Sequence, residues 1–259
     1  MRGTTFPSNE SNGKGRKIEH VGVAGSGTMG TQLVAYFLSR DLKVTLFTSN
    51  PTRAKTLLND FLKERFPKLQ QVANTEQLTI TSDLYVLCKT QIIIETMKED
   101  LMIKRDFVSR IVEIDSSVII GSCTSSLTLK QISNGIEDNG RIQVIHFSNP
   151  VAKMRVIELV LSKEISKQTK VRLEEFFSKL EHEVVEVPDI PGYVINSIIF
   201  AMIEQANNLE KVHGIPSESI DTLMRVGCGF PMGPFEIEKL IGSQTVELVR
   251  KNLRDNSQD

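Results

Sequence analysis

The sequence predicts an α/β protein: a doubly wound, mainly parallel sheet followed by a small all-helical C-terminal domain. Three observations carry this. Short apolar runs alternate with amphipathic helical stretches from residue 18 to about 188, a glycine-rich turn links the first run to the first helix, and every run of β character ends at Pro188.

In order, Ile18 to Val23 is apolar and flows into Gly25-Ser26-Gly27-Thr28-Met29-Gly30. Gln32 to Ser39 then has helical apolar spacing. Lys43 to Phe47 reads as a second strand, and Thr52 to Phe66 as an amphipathic helix with Leu57, Leu58, Phe61 and Leu62 inward. Together these make a βαβ unit of the Rossmann type. Further strands are expected at Leu78 to Ile80, Gln91 to Glu95, Ser117 to Ile120, Gln143 to Phe147, Val156 to Leu161 and Val184 to Val187, any later one being free to run antiparallel. Helices are expected at Asp100 to Ile114 and Ser166 to His182. From Pro191 the spacing is helical throughout, at Val194 to Val212, Ser217 to Val226 and Phe235 to Leu240, with Gly214, Gly227, Gly229 and Pro231 as punctuation. The expected organisation is a disordered leader over 1–17, polar and rich in Gly, Ser and Asn, a dinucleotide-binding domain over 18–188, and a helical domain over 189–259.

Composition excludes several classes. A net charge of -1 offers no electrostatic footprint for nucleic acid or an anionic membrane, and no apolar run is long enough to span a bilayer. Cys88, Cys123 and Cys228 are far apart and form no Cys-x-x-Cys, so neither a disulfide framework nor a metal site is expected, and a reducing, cytoplasmic compartment is.

Glycine patterns recur by chance, but this one follows a strand and opens a helix. There Gly25 would make the tight turn, Gly27 would admit a pyrophosphate, and Gly30 would let the helix pack closely, with helix N–H groups at Thr28 and Met29 facing the phosphates. The expected cofactor is NAD or NADP. An acidic residue that grips the adenosine ribose belongs at the end of the second strand, yet Thr48 stands there, followed by Ser49 and Asn50, with Arg53 nearby. Two readings stay open: this set surrounds a 2′-phosphate, or Thr48 makes weaker bonds to the ribose.

His146 closes a run at the edge where strand ends face the ligand crevice. Glu158, twelve residues on, interrupts another apolar run, and a buried carboxylate there needs a partner. Paired with Glu158, His146 would serve as an acid–base group. Spacing alone fits a structural histidine and an edge glutamate better. His20, His182 and His213 read as surface residues.

Seven segments, in order along the chain, resemble 3-hydroxyacyl-CoA dehydrogenases, specifically those acting on 3-hydroxybutyryl-CoA. They are Val21 to Gly30, Ile94 to Leu101, Thr124 to Leu127, His146-Phe-Ser-Asn-Pro-Val151, Val156-Ile-Glu-Leu-Val160, Pro191-Gly-Tyr-Val-Ile-Asn196 and Gly229-Phe-Pro-Met-Gly-Pro-Phe-Glu236. The resemblance implies hydride transfer between a nicotinamide dinucleotide and the hydroxyl-bearing carbon of an acyl thioester, in the sphere of fatty acid metabolism. It implies His146 as general base or acid, Glu158 as its orienting partner, Ser125 on the reacting oxygen, Asn196 on the substrate carbonyl, and Glu99 and Lys104 beside the nicotinamide. It also implies a homodimer formed through the helical domain.

Departures from the pattern are Cys123 for Asn, Ser148 for the second Phe, and Ser197 for Arg. Thr52 to Asp83 is shorter than the helical hairpin the family uses to hold coenzyme A, with Lys55, Lys63 and Lys68 left as possible phosphate partners, and the helical domain reads as truncated after Gly242. The shortened hairpin raises an alternative, the same chemistry on a group tethered to an acyl carrier protein. Thr48 and the short C-terminus raise another, a non-catalytic dinucleotide-binding relative.

Overall fold

The computed structural model describes residues 17–67, 76–115 and 117–242, with 246, 247, 249, 250 and 252. The expected leader, apart from Lys17, and Lys68 lie outside these residues. Two compact units are formed, one by the chain up to Thr124 together with Leu129–Pro188, the other by Ser125–Thr128 together with the chain from Asp189.

In the first unit the strands are β1 (His20–Ala24), β2 (Lys43–Phe47), β3 (Leu78–Thr81), β4 (Ile92–Glu95), β5 (Ile119–Ser122), β6 (Ile142–Phe147), β7 (Val156–Val160) and β8 (Glu183–Glu186). They form one sheet in the order β3-β2-β1-β4-β5-β6-β7-β8. Pairing is parallel from β3 to β6, antiparallel between β6 and β7, and parallel again between β7 and β8. Strand order reverses between β1 and β4, the point where open α/β sheets leave a crevice at their carboxyl ends.

Central strands with both faces covered read as continuous β-branched runs. Ile92, Ile93 and Ile94 of β4, and Val21 and Val23 of β1, are fully buried. Helices α1 (Thr28–Leu38), α2 (Pro51–Arg65), α3 (Leu84–Leu87), α4 (Leu101–Ile114), α5 (Leu129–Ser133) and α6 (Lys167–Ser178) complete this unit. The N-terminus of α2 is set by Asn50, whose side chain accepts the Arg53 N–H at 3.0 Å, with Pro51 in the first turn. Leu58 and Leu62 of α2 are buried, each such burial contributing about 1.5–3 kcal/mol. Leu57 was expected inward and is exposed, because the buried stripe of α2 runs through Ala54, Leu58 and Leu62, one position on. The helix expected to reach His182 ends at Ser178, capped at its start by Ser166.

In the second unit, α7 (Ile195–His213) is closed by Gly214 in a left-handed conformation, φ 63°. The helix expected over Ser217 to Val226 divides into α8 (Ser217–Thr222) and a π turn, Leu223–Gly227. Helix α9 (Pro234–Ile241) starts where the Glu236 carboxylate accepts the Gly233 N–H at 2.8 Å and the buried Asp221 accepts the Phe235 N–H at 2.9 Å. The segment Gly229 to Glu236 is thereby tied into the fold. Among the described residues no helix is long and apolar enough to cross a membrane.

Candidate active site

The glycine turn leaves β1 and opens α1. Gly25 has φ +113°, a value glycine adopts without strain, and a side chain on Gly30 would strike the Gly25 carbonyl oxygen, so packing alone explains both. Gly27 is different. A Cβ built there meets nothing within 4 Å, so no protein atom accounts for its being glycine, and the space beside it suits a group brought in from outside. No side chain caps the start of α1 and no acid lies in its first turn, so the N–H groups at Thr28 and Met29 point at that space with a positive helix end behind them. Thr28 is exposed, while the Met29 side chain packs on the core and leaves only its backbone for a ligand. These features fit a dinucleotide pyrophosphate. A cleft of about 880 Å³ runs from Gly25 and Gly27 past Phe47, Thr96, Met97 and Phe107 at the carboxyl ends of β1, β2 and β4.

Thr48 is buried, and its hydroxyl pairs with the Ser26 hydroxyl at 2.9 Å. Glu99 and Lys104 were expected beside the nicotinamide. Lys104 is instead 1% exposed, its ammonium donating to Glu95 at 2.8 and 3.0 Å and lying 3.4 Å from Glu99, so its charge is neutralised inside the protein while Met97 and Lys98 line the cleft. Burial by itself would lower the pKa of Lys104. The two carboxylates outweigh it, and the net shift is upward. Glu95 is completely buried at the end of β4 and also accepts from Ser122 Oγ at 2.5 Å and the Met97 N–H at 2.6 Å. The Thr124 hydroxyl donates to Glu99 at 2.6 Å. The sequence reading overlooked Glu95, though the signal that singled out Glu158, a carboxylate in a buried apolar run, was present.

His146 and Glu158 face each other across the antiparallel pair β6 and β7, in direct register. His146 Nδ1 lies 2.9 Å from Glu158 Oε2, and both side chains are nearly buried. The turn after β6 is fastened to α1 by Gln32, which donates to Asn149 at 2.9 Å and accepts the Val151 N–H at 3.0 Å. His182, expected at the surface, is buried, because its ring bonds the Tyr36 hydroxyl at 3.0 Å and the Val151 carbonyl at 3.1 Å. His20 is half-buried against Thr45, and burial lowers its pKa.

Ser125 lies three residues beyond the end of β5. Asn196, in the first turn of α7, donates through Nδ2 to the Ser125 carbonyl at 2.9 Å. Tyr193, fully buried, fastens the same segment through its hydroxyl, which donates to the Leu127 carbonyl at 2.6 Å. Pro191 to Asn196 therefore anchors residues 125–127.

A strand order that reverses at a glycine-lined crevice defines a dinucleotide-binding protein. Profiles of the 3-hydroxyacyl-CoA dehydrogenase NAD binding domain and C-terminal domain match residues 20–190 and 192–259 respectively. The chain belongs to the 3-hydroxyacyl-CoA dehydrogenase family, a family of NAD-dependent oxidoreductases. It is 27% identical over 247 residues to the mitochondrial hydroxyacyl-coenzyme A dehydrogenase of Rattus norvegicus, covering 90% of this chain and 79% of that one. It is 28% identical over 243 residues to a 3-hydroxybutyryl-CoA dehydrogenase of Mycobacterium tuberculosis, covering 90% and 85%. The crystal structure of the (S)-3-hydroxybutyryl-CoA dehydrogenase of Ralstonia eutropha superposes with a TM-score of 0.83 at 26% identity, covering 94% of this chain and 89% of that one.

Proposed function

We propose that this protein interconverts a 3-hydroxyacyl thioester and its 3-oxoacyl counterpart, with coenzyme A as the carrier. The observation that carries the reading is the His146–Glu158 pair at the carboxyl edge of the sheet that also bears the glycine turn. When bound, the nicotinamide dinucleotide supplies or accepts the hydride at the carbinol carbon.

In oxidation His146 removes the hydroxyl proton through Nε2, and in reduction it returns that proton. Glu158 holds the tautomer through Nδ1 and balances the charge on the imidazolium. Ser125 donates to the oxygen whose charge changes, and Asn196 serves the thioester carbonyl. The support for Asn196 is its hydrogen bond to the Ser125 carbonyl, which ties the Asn196 side chain to the Ser125 backbone. Glu95 and Lys104 brace the end of β4: Glu95 accepts from Ser122 and the Met97 N–H, and Lys104 lies between Glu95 and Glu99. Exposed apolar side chains on the helical unit, Ile198, Leu223, Val226 and Leu240 among them, support homodimerisation through that unit. Three free cysteines accord with a reducing, cytoplasmic setting.

The test is a substrate panel. Short 3-oxoacyl groups are offered on coenzyme A and on an acyl carrier protein, with reduced dinucleotide, and oxidation of the cofactor is followed. Turnover with the coenzyme A thioesters is expected. Turnover confined to the carrier protein would replace the carrier assignment, and none with either would overturn the reading.

A further inference from the structure

Resting on that reading, we propose that the adenosine end of the cofactor site is built for a 2′-phosphate, that the preferred cofactor is NADP(H), and that Arg53 is the specificity-determining residue. A cavity of about 550 Å³ beside the glycine turn is lined by Ser26, Gly27, Thr48, Ser49, Asn50 and Arg53, among others, and its described lining contains no carboxylate.

The argument is one of donors against acceptors. A ribose diol carries two hydroxyl donors and is held best by a carboxylate, which only accepts. A phosphate only accepts and is held by donors. At the end of β2 the acceptor is missing: the Thr48 hydroxyl is occupied by Ser26 and the Asn50 N–H, and the Asn50 side chain is occupied as the cap of α2. Asp83, which shares a separate hollow with Ser49, already accepts the Tyr85 N–H at 2.8 Å. Donors remain. Ser49 is exposed, and the Arg53 guanidinium, also exposed, makes no ion pair or hydrogen bond among the described residues. A guanidinium fork matches two phosphate oxygens, so this site attracts the phosphate where the acidic residue of NAD-binding Rossmann sites would repel it.

The experiment measures dissociation constants of NADPH and NADH on the full chain by nicotinamide fluorescence. NADPH is expected to bind about ten- to hundredfold tighter, the range of one charge-assisted contact. Arg53→Ala should collapse that ratio, with Arg53→Lys retaining part of it. Thr48→Asp should reverse it, and Ser49→Asp, at an exposed position, provides the same charge if the buried substitution does not fold. Equal or tighter binding of NADH, or a ratio unchanged in Arg53→Ala, overturns this inference and leaves the dehydrogenase reading standing. Binding of neither nucleotide overturns both.

Discussion

His146 and Glu158 are a cross-strand pair, in direct register between antiparallel strands, with Nδ1 2.9 Å from the carboxylate oxygen. Because both sit on rigid sheet rather than on loops, the imidazole is held before any substrate arrives. Glu158→Gln preserves size and removes the charge that balances the imidazolium. Turnover should fall about 10²-fold or more, with the fold retained by circular dichroism. A near-normal rate would mean that the carboxylate is structural only.

Lys104 is predicted to be a stability residue. Lys104→Met leaves Glu95 and Glu99 facing each other, Glu95 wholly buried, and should cost about 3–5 kcal/mol in urea unfolding, part of which returns in Lys104→Met with Glu95→Gln. An unchanged unfolding midpoint would show that water or another group compensates the charge.

The glycines of the turn should separate by assay. Gly30→Ala meets the Gly25 backbone and should destabilise the protein by about 1–3 kcal/mol. Gly27→Ala has open space and an ordinary φ of -74°, so thermal stability should hold while dinucleotide affinity falls about tenfold. Loss of stability in Gly27→Ala, or full affinity, would contradict the role given to that space.

Thiol chemistry offers an independent check of burial. Burial raises Cys88 to a pKa of about 11 and Cys123 to about 12, whereas Cys228 is exposed. Iodoacetamide at pH 8 should therefore label Cys228 first, since the thiolate is the nucleophile. Fast labelling of the buried Cys88, read by peptide mass spectrometry, would show that its surroundings open in solution.

Much of this was legible because the signals were local. Lys43 to Phe47 is a strand with the expected bounds, since a short, mostly apolar run between turns is read as a buried strand. Glu158 stood out because a charge within an apolar run demands a partner. What escaped depended on contacts remote in sequence. The burial of His182 is decided by Tyr36 and Val151, 146 and 31 residues away, and neither leaves a mark on the residues beside it. Leu57 was expected inward together with Leu58, yet a single position on a helix is enough to turn a side chain outward. Gln32 lies in a helix whose apolar pattern says nothing of the turn it fastens 117 residues on.

The most direct test of the account is the rate of cofactor oxidation with a short 3-oxoacyl-CoA, compared between the wild-type chain and His146→Ala at saturating reduced dinucleotide. The account predicts measurable wild-type turnover and a loss of about 10²–10⁴-fold in the variant, with its cofactor affinity retained. A wild-type chain that binds the cofactor and turns over no acyl thioester, or a His146→Ala variant that works at close to the wild-type rate, would contradict it.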